Sequence, residues 1–106
     1  MGERVRVTTR RKIDVFGNLL RDFFVNGEKV GFYVCKWDEY KEDACCSIYV
    51  PGLVNVDALF VCGREIRELP RQVEEFIRKH IKEPLASKIL STLARDVEKL
   101  SEMYFK

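Results

Sequence analysis

Two stretches of the chain alternate apolar and polar side chains with the two-residue period of a strand. Over residues 29–37, Val30, Phe32 and Val34 point one way while Tyr33, Cys35 and Trp37 point the other. Over residues 45–50, Cys46, Ile48 and Val50 separate in the same way from Cys45, Ser47 and Tyr49. The polar run 38–43 between them predicts a hairpin loop. Placing Tyr33 opposite Tyr49 brings Trp37 opposite Cys45 and keeps both faces in register. The expected sheet is apolar on one side and aromatic-polar on the other, and the second side is either a binding surface or a floor covered by helices.

The remaining periodicities fill in the architecture. Arg4, Arg6, Thr8 and Arg10 alternate with Val5, Val7 and Thr9, which predicts an edge strand with a basic face, extended by Arg11 and Lys12. Ile13, Phe16, Leu19, Leu20, Phe23 and Phe24 recur at helical spacing, so an N-terminal helix is expected, stopped by Asn26-Gly27. Residues 58–62 read as a buried strand closed by Gly63. Pro70 suits the first turn of a helix carrying Val73, Phe76, Ile77 and Ile81 on one side, and Pro84 precedes a last helix over residues 85–104. On that helix Ala86, Leu90, Leu93, Val97, Leu100 and Tyr104 are spaced four, three, four, three, four, a heptad-like seam. The seam either packs inside its own domain or joins copies of the chain. The fold expected is a single α+β domain over residues 1–106: a small antiparallel sheet of three to four strands, an N-terminal helix and two C-terminal helices.

Composition narrows the class. No stretch approaches the roughly 18 uninterrupted apolar residues of a membrane span, and the N-terminus is charged where a secretory signal needs an apolar run. A cytoplasmic protein without membrane contact is therefore expected. Asn18, Asn26, Asn55 and Gln72 are the only amide side chains in a chain that is 34% charged, a balance resembling thermophile usage. The net charge of +2 is unevenly spread, with eight basic residues against four acids up to Trp37, followed by an acidic stretch that opens at Asp38. A polyanion meets the N-terminal part first.

Candidate chemistry is sparse. Cys45 and Cys46 are adjacent and point to opposite faces of a strand, which does not suit a structural zinc site; buried free thiols are the expected state, with a disulfide open but unassignable. A nucleophilic cysteine lacks a base, because His80 is the only histidine and lies in the basic run 78–82. No phosphate-cradling glycine loop occurs. The chain reads as non-catalytic, with no cofactor and no metal.

Surface character points further. Single-stranded nucleic acid is bound by positive grooves that track phosphates and by aromatic rings that stack bases. Arg4, Arg6, Arg10, Arg11 and Lys12 are the expected phosphate contacts, and Tyr33, Trp37 and Tyr49 the expected rings. A basic, aromatic-bearing sheet in the first two thirds, followed by Pro84 and the seam from Ala86 to Tyr104, resembles the ThermoDBP-type single-stranded DNA-binding proteins of thermophilic archaea. The resemblance lies in the arrangement of most of the chain. It implies a compact α+β domain with a basic, apolar-lined cleft and a C-terminal helix that assists oligomerisation. The leading expectation is a sequence-tolerant binder of single-stranded DNA or RNA acting as a homodimer or higher oligomer, with Leu90, Leu93, Val97, Leu100 and Tyr104 joining copies. The competing expectation, which also fits a small viral or accessory protein, is a protein-interaction or assembly module that recruits a partner helix to the same seam.

Overall fold

Short hairpin turns dictate the first half of the architecture. The computed structural model describes residues 5–53 and 56–104, so Arg4 lies outside the described residues. Strands β1 (Val7–Ile13), β2 (Leu19–Val25), β3 (Glu28–Asp38), β4 (Asp43–Tyr49) and β5 (Leu59–Cys62) form one sheet in chain order, each antiparallel to its neighbour. Helices α1 (Gly63–Glu68), α2 (Pro70–His80) and α3 (Leu85–Tyr104) follow.

The expected N-terminal helix is absent, and the sheet has five strands rather than three or four. The segment read as helical is a β-turn feeding β2. Asp14 Oδ1 accepts the backbone N–H groups of Phe16 (2.8 Å) and Asn18 (2.9 Å), and Gly17 takes φ +79°. The Asn18 amide is also the main reason the Asp14 carboxyl is held below its usual range. Beyond this turn Leu19, Arg21 and Phe23 are buried while Leu20, Asp22 and Phe24 are half-exposed, a period of two. Asn26 (φ +51°) and Gly27 (φ +85°) close the β2–β3 hairpin instead of capping a helix, as an Asn-Gly pair does when both central residues need positive φ.

The C-terminal helices are three, since the short α1 precedes the two expected. Pro70 opens α2, and the bounds of α3 coincide with the predicted residues 85–104. Helix α3 lies across β2, β3 and β4. Leu19, Phe23, Tyr33, Cys35, Cys46, Ile48 and Val61 rise from the sheet to meet Ile77, Ala86, Ile89, Leu93, Val97 and Leu100. Burying each large aliphatic side chain contributes about 1.5–3 kcal/mol, so this interface carries the fold. The seam is therefore used inside the chain: Leu93, Val97 and Leu100 are core residues, closed to another copy.

A polar network is embedded in that interface. Asp96 is fully buried on α3 and takes a forked pair of hydrogen bonds from Arg21 of β2, with Nη2 donating to Oδ1 at 2.8 Å and Nε to Oδ2. The Tyr33 hydroxyl of β3 donates to the same Oδ2 and lies 3.0 Å from Thr92 Oγ1. The hydrogen bonds from Arg21 to Asp96 raise the arginine's affinity for its proton, and burial, before any charge effect, pushes the Tyr33 hydroxyl far above the ordinary tyrosine value.

The cysteines are not free thiols. Cys35–Cys46 joins β3 to β4 on the helix-covered face, and Cys45–Cys62 joins β4 to β5 on the opposite face. The adjacent cysteines of β4 can bridge in both directions because successive side chains point to opposite faces. Both bridges join directly opposed cross-strand partners, Cys35 with Cys46 and Cys45 with Cys62.

Candidate nucleic-acid interface

The face of the sheet turned away from the helices is where rings and cations meet. Its composition follows from the β3–β4 register. Four residues, 39–42, separate Asp38 from its partner Asp43, so Tyr33 pairs with Ile48, Trp37 with Ala44, and Phe32 with Tyr49. This register is one residue away from the expected one, and a slip of one sends every side chain of the second strand to the other face. Tyr49 therefore parts from Tyr33 and Trp37.

The predicted site residues divide accordingly. Arg10 and Lys12 stand on the open face of β1, in line with Tyr49 and its neighbours. Arg11 stands on the covered face, with Nη1 3.7 Å from Asp96 Oδ1. Arg6 precedes β1 and is tied by its backbone to Asn26, its N–H donating to Oδ1 at 2.9 Å. Tyr33 is fully buried, out of reach of any base. Trp37 stacks on Tyr104 of α3, with ring centroids 5.3 Å apart and planes 5° apart. Leu90 is half-buried beside a groove between α2 and α3 that Pro70, Val73 and Ala94 also line.

The open face supplies rings that the sequence reading placed in the core. Phe32 and Tyr49 stack, with centroids 5.0 Å apart, and Phe60 of β5 is 49% exposed beside Tyr49 at 41%. Each cluster carries a lysine. Lys29 Nζ lies 5.3 Å from the Phe32 centroid and Lys41 Nζ 5.1 Å from that of Phe60, both within cation–π range. Lys29 also pairs with Asp22 Oδ1 at 3.3 Å, leaving Asp22 neutralised on this face. A cleft of about 300 Å³ between Val34, Lys36, Ser47, Tyr49 and Phe60 adjoins a second of about 380 Å³ between Lys29, Phe32, Tyr49 and Pro51. Tyr49 borders both.

The ladder aligns these groups in rows. Lys12, Leu20, Val34, Ser47 and Phe60 are successive cross-strand partners over all five strands. At an interstrand spacing of about 4.8 Å the row spans about 19 Å from a cation to a ring. The row Arg10, Asp22, Phe32, Tyr49 repeats the order. Phe16, 80% exposed at the β1–β2 turn, adds a ring beyond the basic strand.

Little else in the structure offers chemistry. Among the described residues no three His, Cys, Asp or Glu side chains gather as a metal-binding group, and no helix is long and apolar enough to cross a membrane. His80 sits against the Phe76 ring at 5.2 Å. Nothing local in the sequence marks Phe32 or Phe60 as open-face residues, since Val30 and Val34 share a face with Phe32 and Leu59 and Val61 flank Phe60; choosing which side faces the helices requires the register. Comparisons with protein-family models, with curated proteins and with solved structures return no match to this chain.

Proposed function

We propose that the protein binds single-stranded nucleic acid, DNA or RNA, on the open face of its sheet without base preference and without catalysing a reaction. The observation that carries this reading is the exposed Tyr49 ring stacked on half-buried Phe32 with exposed Phe60 nearby, each ring group held against a lysine. Bases stack on the rings, at about 1–3 kcal/mol per base. Arg10, Lys12, Lys29, Lys36 and Lys41 neutralise phosphates around them. The resemblance to ThermoDBP-type proteins points to the same ligand class. Every group invoked here stands on one copy of the chain, and Leu93, Val97 and Leu100 of the helical seam are taken up by its core.

The test is fluorescence anisotropy of a labelled oligo-dT or oligo-U titrated with protein at several salt concentrations. Saturable binding is expected, with log K falling against log salt at a slope between about −2 and −4, as for three to five phosphate contacts on a single strand. Trp37 stacks on Tyr104 and also borders the cleft at Lys36 and Tyr49, so the anisotropy of the label, rather than tryptophan fluorescence, is the readout. Absence of binding at low salt refutes the proposal, and salt-insensitive association with another protein supports the interaction module instead.

A further inference from the structure

The two disulfides differ in their surroundings. Cys35 and Cys46 are fully buried beneath α3. Cys45 and Cys62 are 5% and 3% exposed and line separate openings: Cys45 the cleft beside Lys36 and Phe60, Cys62 a depression formed with Tyr40, Lys41, Asp43, Arg64 and Glu65. Each end of the second bridge thus borders an opening, which neither end of the first does.

Lysines flank both ends: Lys36 is the cross-strand partner of Cys45, while Lys41 reaches the Cys62 sulfur itself. Lys41 Nζ lies 3.7 Å from Cys62 Sγ. The loop holds it there, the Lys41 backbone N–H donating to Asp38 Oδ1 at 3.0 Å. The nearby carboxylates have hydrogen-bond donors of their own. Asp43 accepts from the backbone of Ala44 and Arg64 and from Arg67, and Glu65 accepts the backbone N–H of Cys62. An ammonium beside a sulfur lowers its thiolate pKa, and a lower-pKa thiolate is the better leaving group in disulfide exchange.

We propose that Cys45–Cys62 is a redox-active disulfide, opened by external dithiols through attack on Cys45 while Cys35–Cys46 stays closed. A thiolate of the dithiol bonds to Cys45 Sγ, the Cys45–Cys62 bond breaks, and its electron pair leaves on Cys62 Sγ beside Lys41. The second sulfur of the dithiol, once deprotonated, displaces Cys45. The reductant departs as a cyclic disulfide, and its two electrons and two protons end on the protein as two thiols. The inference does not rest on nucleic-acid binding, although Lys41 takes part in both.

The experiment is native reduction of the oxidised protein by graded dithiothreitol, quenched with N-ethylmaleimide and read by peptide mass mapping. Cys45 and Cys62 are expected to label at least about tenfold faster than Cys35 and Cys46. Lys41→Met, which keeps the stem and removes the charge, slows that opening about three- to tenfold, and Lys41→Arg restores it. With glutathione the trapped mixed disulfide sits on Cys45. Labelling of all four cysteines together at the rate of global unfolding overturns the proposal. So does a Lys41→Met variant that opens as fast as the parent, or a mixed disulfide found on Cys62.

Discussion

Replacing Asp96 by alanine removes the acceptor at the centre of the network between α3 and the sheet. Arg21 is only 7% exposed, and its guanidinium gives both Nε and Nη2 to that carboxylate. Arg11 cannot compensate, being a cation itself, and Thr9 Oγ1 takes only Nη1. Stranding one member of a buried pair costs about 3–5 kcal/mol. Domains of this size are stable by about 5–15 kcal/mol in total, so Asp96→Ala lowers the melting temperature by on the order of 15 °C. The double variant Arg21→Met/Asp96→Leu removes both charges and fills the space with apolar atoms, and it is expected to recover most of the loss, within about 1–2 kcal/mol of the parent. Tyr33 keeps Thr92 as a partner at 3.0 Å in that background. The assay is urea unfolding followed by far-UV circular dichroism with the disulfides oxidised. Were Asp96→Ala to stay within about 1 kcal/mol of the parent, or the double variant to be as unstable as the single one, the assignment of Arg21 and Asp96 as a desolvated, interdependent pair is refuted.

Tyr49→Ala and Phe60→Ala each weaken oligonucleotide binding by about five- to 100-fold, from one lost stack, whereas Tyr33→Phe leaves affinity unchanged; equal effects of all three in anisotropy titrations contradict the open-face assignment. Tyr33 also sets an alkaline limit. Burial keeps its proton on in the folded state while the unfolded chain releases it near the ordinary value of 10.0, so the stability linked to it is complete below about pH 10 and declines above. Tyr33→Phe flattens the decline of melting temperature between about pH 9.5 and 12, and superimposable profiles argue against this linkage. Gly27→Ala meets no atom within 4 Å and costs about 1–2 kcal/mol from its positive φ alone, while at Gly31 an added Cβ lies 2.6 Å from the Tyr49 carbonyl oxygen and forces β3 and β4 apart, so Gly31→Ala is the more damaging of the two in thermal unfolding. Leu93→Ala costs about 2–5 kcal/mol of stability with no change in sedimentation, since Leu93 is buried in the chain's own core.

The parts of the fold that were legible in the sequence are those with local causes. Pro70 at a helix start, the 4-3-4 spacing of α3 and the acidic loop after Asp38 all act within a few residues, and each emerged where expected. The first hairpin was obscured because Ile13, Phe16, Leu20 and Phe24 satisfy a helical period by coincidence of two strand faces and a turn. The Asn-Gly pair was the local signal for a hairpin. The site turned on something less local: whether four or five residues connect β3 to β4. Both lengths are common in hairpins, and that single residue decides whether Tyr49 joins Tyr33 or Phe32. Asp96 was visible in principle, because with Ile89, Leu93 and Leu100 it continues the 4-3-4 spacing of the buried stripe, but its partner Arg21 sat inside the misread helix.

Each strand of the meander pairs with the strand just before it in sequence, so the sheet can close hairpin by hairpin while synthesis is still under way. Helix α3 arrives only after β5, α1 and α2. At about 5–20 residues per second, the stretch from Gly63 to Tyr104 takes roughly 2–8 s to make. Throughout that interval Leu19, Phe23, Tyr33 and Ile48 have no lid. Arg21 stands among them as an uncompensated charge, and a charge pointing inward from a sheet is a deterrent to pairing with other nascent sheets. The guanidinium that Asp96 pairs in the finished protein is thus, on the half-made sheet, an inward-pointing charge of the kind that discourages edge-to-edge association.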